Sequence, residues 1–369
     1  MSLRLASVEV IPYALPFREP YVTARGTLTQ REMVLLRLRT DEGLVGLGEA
    51  VPLSLRGGAG LEQVVRELRE VDRSEALHEL VRRCSFEVTS VAEIDPRLQL
   101  SPPACSAVMG AVYDLYDKLL HQQRPGSAPG GVDRDPIECN ATLVAGAPEK
   151  VAEDALAWAA EGYSTFKLKL GGGQDVAQVR AVREALGPEA AIRVDANASW
   201  SLQAATRILG EIAPYEIELV EQPVATMEEA AELARLTSIP LCGDESIASA
   251  EDARLAAELD AFAVTGVKLC KVGGFFEGMA IGEVLPAYVT SALDGPVGIS
   301  YGASLAAGLD PAEYLPPRPR YAHGLATQRL FASTIASVEC ELRGGHLHPP
   351  PGPGRGVEID EDALEAHRL

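Results

Sequence analysis

Alternating apolar and polar residues mark the first fifty positions of the chain, a pattern typical of strands that bury one face. It covers three stretches: 4–12, 32–39 and a hairpin over 43–48. Apolar residues then recur at helical spacing in three further stretches: 61–72, 75–83 and 101–122. Strands that are followed by helices predict an α+β domain, which we place at residues 1–125.

A second pattern begins at Ile137, where short β-branched, apolar runs alternate with amphipathic stretches. The runs predict eight strands, of which the last is the least marked: 137–143, 164–170, 191–195, 217–221, 239–243, 264–269, 287–291 and 321–325. The stretches between them predict helices: 148–161, 175–186, 201–212, 227–236 and 249–258. Eight strands with intervening helices favour a closed α/β barrel over an open sheet, and we place this barrel at residues 136–330.

Two segments rich in proline and glycine flank the predicted barrel. The segment RPGSAPGGVDRD at 124–135 predicts a linker to the first domain. The segment PPPGPGRG at 349–356 cannot be helical, because proline lacks a backbone donor and clashes with the preceding turn. We expect the C-terminal segment, residues 331–369, to lead back toward the first domain.

Five charged residues recur at nearly one spacing inside the barrel region: Lys169, Asp195, Glu221, Asp244 and Lys268, separated by 26, 26, 23 and 24 residues. A strand–helix unit of a parallel barrel takes roughly that many residues. Each of the five lies at or just past the end of an apolar run. We therefore expect all five at the carboxyl-end rim, where barrel enzymes carry their chemistry.

The three carboxylates of this set suit Mg²⁺, which prefers oxygen ligands and keeps several waters. Asn197, two residues after Asp195, adds either a polar contact or a turn. Lys167 and Lys169 point to one face of their strand, and buried lysines are costly unless they are used or paired. Nearby positive charge and the metal lower a lysine pKa, so one of them suits a base near neutral pH. Lys268 would approach from the opposite side, whereas Lys271 falls in the following loop as a solvated or structural residue.

Composition narrows the class of partner. The chain has 369 residues and a formal net charge of −20, from 33 Lys and Arg against 53 Asp and Glu. Such acidity argues against nucleic acid and anionic membranes, and it favours a small-molecule partner. An anionic substrate would need local positive charge from lysines or a metal ion. Assembly into a homo-oligomer stays open.

The cysteines and the N-terminus predict a compartment. Six cysteines occur without a CxxC pair or a Cys/His ligand spacing. The N-terminus lacks a signal-peptide pattern, and no apolar run reaches about 18 residues. We expect reduced, mostly buried thiols in a cytoplasmic protein.

Other motifs are weaker. The glycines at 171–173 are followed by no GK[ST], so a tight strand-to-helix turn is favoured over a phosphate cradle. No Ser/His/Asp nucleophile arrangement stands out. Candidate substrate contacts are Arg25 in the polar loop 21–26, Asn197, Ser291 and His323. For Ser291 the alternative is a simple barrel-to-helix turn, and for His323 it is a structural histidine.

Taken together, the motifs FKLKL, IRVDAN, ELVEQP, LCGDES and GVKLCK resemble, in order and spacing, the enolase superfamily and its muconate lactonizing enzyme subgroup. The resemblance covers nearly the whole chain. It implies a (β/α)7β TIM-like barrel with an N-terminal α+β capping domain that the C-terminal tail completes. It also implies that the three carboxylates ligate Mg²⁺. Lys169 would be the base on one face, Lys268 would lie on the other, and Lys167 would support Lys169. The substrate would carry a carboxylate and react through an enediolate.

The segments VTSALDGPVGIS, SLAAG and AHGLATQRLF resemble o-succinylbenzoate synthases of menaquinone biosynthesis. That resemblance implies a Mg²⁺-dependent lyase that dehydrates a cyclohexadiene carboxylate with syn geometry. Dipeptide epimerases usually carry an Asp-x-Asp at strand 8, whereas residues 323–327 contain no acid. N-acylamino acid racemase, dipeptide epimerase and muconate cycloisomerase stay as alternatives from the same subgroup, and a non-catalytic binding barrel is an alternative from another class.

Overall fold

A computed structural model describes residues 3–23, 26–54, 57–83, 99–123, 135–309 and 320–369. The first part of the chain forms an antiparallel sheet in the order β1-β2-β3. Its strands are β1 (Leu5–Thr23), β2 (Gly26–Thr40) and β3 (Val45–Ala50). Three helices follow: α1 (Leu61–Asp72), α2 (Glu75–Arg83) and α3 (Pro102–Gln123). The predicted order of strands and then helices is confirmed for this region.

The hairpin between β1 and β2 is longer than the sequence pattern predicts. The stretch 21–26 was expected as a polar loop, yet β1 continues to Thr23 because Val22 and Thr23 pair with Thr27 and Gly26. The register shifts between Pro16 and Tyr21, where two prolines interrupt the backbone donors. The two strands therefore stay paired as far as Thr23 and Gly26, and residues 24 and 25 lie outside the described part of the chain.

Strand β3 lies directly on helix α3, and glycines make that contact. A Cβ on Gly48 would come within 1.9 Å of the Ala107 carbonyl oxygen, and one on Gly46 within 2.3 Å of the Ala111 carbonyl oxygen. Both obstacles are backbone atoms of a helix and cannot turn aside. The two glycines, two residues apart on one face, thus set the distance between the sheet and α3.

Gly48→Ala is therefore expected to destabilise the protein by at least 1–3 kcal/mol, the usual range for overpacking, since strand and helix must separate. Thermal unfolding monitored by circular dichroism measures the effect. Gly210→Ala is the matched control, because Gly210 lies in an exposed helical position with open space around its Cβ. That control should gain up to about 1 kcal/mol from helix propensity. Equal melting temperatures for Gly48→Ala and the wild type would contradict the contact.

The second part of the chain is a parallel barrel. Seven strands are hydrogen-bonded in sequence order: β5 (Ala141–Leu143), β6 (Thr165–Lys169), β7 (Ala191–Asp195), β8 (Ile217–Glu221), β9 (Leu241–Gly243), β10 (Val264–Val267) and β11 (Ala287–Val289). The helices between and after them are α4 (Pro148–Ala160), α5 (Asp175–Leu186), α6 (Leu202–Ile212), α7 (Met227–Ala234), α8 (Ala250–Glu258), α9 (Leu269–Val272), α10 (Phe275–Val284) and α11 (Pro296–Gly308).

The eighth strand position closes the barrel through two single parallel bridges. Gly324 pairs with Thr290 after β11, and His323 pairs with Cys139 before β5. Arg193 of β7 supports this closure from inside, since its guanidinium donates to the Ala322 carbonyl at 2.6 Å and forms an ion pair with Glu218. The fold is a (β/α)7β TIM-like barrel with an α+β cap, as the sequence analysis predicts.

The C-terminal segment returns to the N-terminal sheet. It contains β12 (Ala336–Val338), β13 (Glu341–Arg343), β14 (His346–His348), β15 (Glu358–Ile359) and α12 (Glu361–Ala366), and β14 pairs with β4 (Ile137–Glu138). Ala14 donates its backbone N–H to His367, and Leu369 donates to Pro12. No described residue of 349–356 is helical, as expected. The domain boundaries at 125, 136 and 331 stay predictions, and 124–134 lies outside the described residues.

Across the described ranges, no helix is both long and apolar enough to cross a membrane. The five cysteines within those ranges are all free thiols, and four of them are buried.

Candidate active site

The five regularly spaced charges meet at the carboxyl end of the barrel. Strand register places Lys169 beside Asp195 and Asp195 beside Glu221. Glu221 pairs with Cys242 of β9, and Asp244 comes directly after that strand. Lys268 comes directly after β10. Neighbouring strands thus end in charged side chains at one level, and β6 and β10, four strands apart in an eight-membered barrel, face each other.

Ion pairs join the lysines to the carboxylates. The ammonium group of Lys167 lies 2.9 Å from Asp195 and 2.6 Å from Glu221, and that of Lys169 lies 2.5 Å from Asp195. Lys268 pairs with Asp244. All six side chains are buried. Such buried charges are tolerated only because each has an opposite partner within hydrogen-bond distance.

The carboxylates and lysines shift one another's pKa. Burial alone would lower the pKa of Lys167 and Lys169, but the carboxylates, Asp195 foremost, outweigh it and raise both. Burial alone would raise the pKa of Asp195, yet Lys167 and Lys169 hold it well below its usual range. Burial and the charge of Asp195 raise the pKa of Glu221. The expectation that neighbouring positive charge and the metal lower a lysine pKa toward neutrality stays a prediction for the site with Mg²⁺ bound.

A fourth lysine belongs to this network. Lys271 was predicted in a loop, either solvated or structural, but it lies in the one-turn helix α9 and is only 8% exposed. Its ammonium group donates to Asp244 Oδ1 at 2.9 Å and to the Gly266 carbonyl at 3.3 Å. The solvated alternative is wrong, because the turn of α9 directs the side chain back under Asp244.

Two uncharged residues, which were not singled out from the sequence, form hydrogen bonds that position the carboxylates. Tyr288 of β11 donates its hydroxyl to Glu221 Oε2 at 2.6 Å from inside the barrel. Gln222 accepts the backbone N–H of Asp244 at 2.9 Å and donates to Ser246. The EQP motif was the available signal for Gln222, whereas Tyr288 lies in an ordinary apolar strand and gave none.

Backbone strain concentrates at this rim. Asn197, Ala198, Gln222 and Leu293 adopt positive φ angles of 48°, 58°, 36° and 68°. Non-glycine residues in this region store energy and recur at functional sites, where the surroundings fix the conformation. The strained turns follow β7, β8 and β11, so three of the rim loops hold their side chains in fixed directions.

A cavity opens above the ion pairs. It is lined by residues of the barrel rim and the N-terminal unit: Tyr21, Leu28, Arg31, Pro52, Leu53, Thr142, Lys167, Lys169, Asn197, Glu245, Lys268, Thr290, Ser291, Ala292, Leu293 and Thr327. Four of these described residues are cationic and only Glu245 is acidic. The cavity therefore offers positive charge to an anion although the whole chain is strongly acidic.

The predicted substrate contacts fall in different places. Asn197 lines the cavity and accepts from Lys169 at 3.2 Å. Ser291 also lines it, but donates its hydroxyl to Asp294 at 2.6 Å. His323 is not among the lining residues, and its Nδ1 accepts the Val289 backbone N–H, which supports barrel closure. Arg25 lies outside the described residues.

The three carboxylates suit a hard divalent cation in chemistry. Among the described side chains, no group of three or more His, Cys, Asp or Glu already stands arranged to hold a metal. Lysine ammonium groups lie between the carboxylates instead. Within the same described residues, Glu221 Oε1 is buried and has no hydrogen-bond partner. A buried carboxylate oxygen without a donor is costly, and a cation would satisfy it.

Comparison with known proteins matches both parts of the chain to families. Residues 5–122 match the mandelate racemase / muconate lactonizing enzyme N-terminal domain. Residues 150–363 match the enolase C-terminal domain-like family.

Individual proteins match over most of their length. An o-succinylbenzoate synthase from Thermobifida fusca is 36% identical over 74% of this chain and 80% of its own length. An N-succinylamino acid racemase from an Amycolatopsis species is 30% identical over 98% of this chain and 97% of its own. A dipeptide epimerase from Enterococcus faecalis, solved with Mg and the dipeptide L-Leu-L-Tyr, superposes with a TM-score of 0.82 at 24% identity, covering 97% of this chain and all of that one.

Proposed function

Because the chain belongs to the mandelate racemase / muconate lactonizing enzyme branch of the enolase superfamily, we propose that it is a Mg²⁺-dependent o-succinylbenzoate synthase that serves menaquinone biosynthesis. The observation that carries the proposal is a cavity with lysines on two opposite strands above three buried carboxylates. In this proposal residues 1–125 and 331–369 form the cap over a barrel of residues 136–330. The substrate is a succinyl-substituted, hydroxylated cyclohexadiene carboxylate.

Asp195, Glu221 and Asp244 would hold Mg²⁺, and the unpartnered Oε1 of Glu221 is the oxygen that most needs it. Bound there, Mg²⁺ supplies positive charge that offsets the charge developing on the substrate carboxylate and shares the carboxylate charge that otherwise raises the lysine pKa. Lys167 bridges Asp195 and Glu221 and keeps those two side chains in place. Its positive charge also acts to lower the pKa of Lys169.

Lys169 acts as the base and removes the proton on the carbon next to the substrate carboxylate. As an ammonium group it then donates that proton to the hydroxyl on the neighbouring carbon. The C–O bond breaks, water leaves from the same face, and the ring becomes aromatic. Lys268 faces Lys169 across the barrel and stabilises the anionic ring by charge and by contact with its face. Asn197 orients Lys169 through their hydrogen bond.

The second carboxylate of the substrate needs another cation. Ser291 is a weaker partner than the sequence suggested, because its hydroxyl proton and the backbone N–H of Ala292 are already donated to Asp294. Arg31 lines the same cavity and carries a permanent positive charge. We therefore propose Arg31 as the residue that meets the succinyl carboxylate, while Arg25, between β1 and β2 in the sequence, stays a candidate.

Two features favour the synthase over its alternatives. Residues 323–327 offer no carboxylate to grip the amino group of a dipeptide. The relative with the higher identity of the two reported above is a synthase, at 36% against 30% for the racemase. The racemase is the second candidate, because lysines on both faces of one cavity also suit proton removal from one side and return from the other.

The purified protein is expected to convert the succinyl-hydroxycyclohexadiene carboxylate to o-succinylbenzoate in a Mg²⁺-dependent reaction. The ultraviolet change on aromatisation measures the rate, with and without EDTA. In parallel, N-succinylamino acids in deuterated water report exchange at the α-carbon. Fast dehydration with slow exchange supports the synthase. Fast exchange without dehydration would favour the racemase instead. If the protein catalysed neither reaction, both proposals would be rejected.

A further inference from the structure

Glu49, a buried carboxylate near the end of β3, connects the N-terminal sheet to the barrel. Its Oε1 accepts the backbone N–H of Gly295 at 2.7 Å, and its Oε2 bonds the hydroxyl of Tyr13 at 2.9 Å. Gly295 is the residue before α11, so Glu49 completes the start of a barrel helix from the opposite side of the interface. A Cβ on Gly295 or on Gly298 would overlap Tyr13 or Glu49, so both glycines admit this close approach.

The segment that Glu49 grips continues directly into the cavity. Ser291, Ala292 and Leu293 line the cavity. Asp294 does not line it but forms hydrogen bonds with two of them. The Asp294 carboxylate accepts from the Ser291 hydroxyl at 2.6 Å and from the Ala292 backbone at 2.7 Å. Leu293 takes a φ of 68°, which a leucine adopts only when its surroundings impose it. The turn 291–294 is therefore strained and needs an anchor at its end.

We propose that Glu49 is a positioning residue: from the N-terminal unit it fixes the strained turn 291–294 and thereby sets the shape of the substrate cavity. The proposal rests on the proposed function in taking this cavity as the substrate site. Glu49 itself is not among the residues that line the cavity. It acts through Gly295. The packing of the N-terminal sheet on the barrel and the binding of the substrate are therefore coupled through one carboxylate.

The charges around Glu49 make this coupling depend on pH. Burial, followed by repulsion from Asp294, raises the pKa of Glu49 to about 8. Burial raises the pKa of Asp294 as well, although hydrogen bonds from Ser291 and Ala292 and the charge of Arg31 oppose that rise. Tyr13 donates its hydroxyl to Glu49 Oε2 at 2.9 Å, and the Met33 sulfur is a further acceptor at 3.6 Å.

Tyr13 keeps its proton over the accessible range, because burial, Glu49, Asp294 and Glu339 raise its pKa. The sign for Glu49 follows from its raised pKa. The folded protein holds the Glu49 proton up to about pH 8, whereas the unfolded chain releases it near pH 4.5. The contribution of this proton to folding stability is therefore complete below about pH 4.5 and is lost as the pH rises through about 8. Above that pH, Glu49 and Asp294 repel each other and the turn 291–294 loosens.

Three variants test the proposal. Glu49→Ala removes the anchor, and KM is expected to rise about tenfold or more with a smaller change in kcat, since the lysines lie on other strands. Glu49→Gln reproduces the protonated side chain, so it should keep the wild-type KM at pH 7 and abolish the rise in KM above pH 8. Glu67→Ala is the matched control, because Glu67 is also a buried glutamate that accepts a backbone N–H just before a helix, at Ser101, but it lies away from the cavity.

Hydrogen exchange measured by mass spectrometry over residues 290–298 gives a readout that needs no substrate. Faster exchange in Glu49→Ala, but not in Glu49→Gln or Glu67→Ala, supports the positioning role even if the proposed reaction fails. A change in melting temperature alone, with exchange and KM as in Glu67→Ala, would reduce Glu49 to a structural residue. An equal effect of Glu49→Gln and Glu49→Ala at pH 7 would overturn the account of a protonated Glu49 as well.

Discussion

Replacing Lys169 with alanine is expected to lower kcat by about 10³-fold or more, the scale of a lost general base that also returns the proton. The physical reason is its placement, since Lys169 lines the cavity while Asp195 and Asn197 fix its ammonium group. Steady-state turnover at saturating Mg²⁺ measures the effect. Asp195 keeps Lys167 as a partner in the variant, so the fold should persist.

The variant also separates the base from the metal. Lys169→Ala removes a positive charge beside Asp195, so Mg²⁺ should still raise the melting temperature, by as much as in the wild type or more. Lys118→Ala is the matched control, because Lys118 likewise pairs with a buried aspartate, Asp114 at 2.7 Å, but in helix α3 away from the cavity. Turnover by Lys169→Ala within tenfold of the wild type would remove Lys169 from the role of base.

Asp244→Asn is expected to abolish both activity and the thermal stabilisation by Mg²⁺. The change removes one of three proposed ligand charges and leaves the ammonium groups of Lys268 and Lys271 without their carboxylate. An uncompensated buried charge typically costs about 3–5 kcal/mol, so the metal-free variant should also melt earlier. Differential scanning fluorimetry with Mg²⁺ and with EDTA measures both effects.

Asp175→Asn provides the comparison for that experiment. Asp175 is a buried aspartate near the same rim, but its partners are the Gly171 backbone and the Trp200 indole rather than lysines. This variant should keep the Mg²⁺-dependent shift. If Asp244→Asn were stabilised by Mg²⁺ as much as Asp175→Asn, Asp244 would not be a ligand.

The barrel and its charged rim were predictable because they follow from local periodicity. Each of the five charges lies one strand–helix unit from the next, and the parallel register converts equal spacing into equal height. Lys271 was misjudged because spacing treats the residues after a strand as a loop. The short helix α9 turns that residue back toward Asp244, and a four-residue helix has too little sequence to show a period.

Contacts between residues far apart in the chain could not be predicted from the sequence. Tyr288 occupies an apolar strand like many others, and only closure of the barrel brings it under Glu221. Glu49 and Gly295 are 246 residues apart, and no pattern links them. The substrate is hard to predict for the same reason. Arg31, Pro52, Thr142 and Thr327 lie together in one cavity but come from four separate parts of the chain.

The return of the C-terminus to the first strand has a consequence for biosynthesis. Leu369 donates its backbone N–H to the Pro12 carbonyl, and Arg37 pairs with Glu361. Domains tend to fold as they leave the ribosome, N-terminal first. Here the first sheet emerges long before its final partners, whereas the barrel has all its strands once Gly324 has been made. The nascent chain must therefore keep its N-terminal hairpin partly uncovered until residues 361–369 have been made.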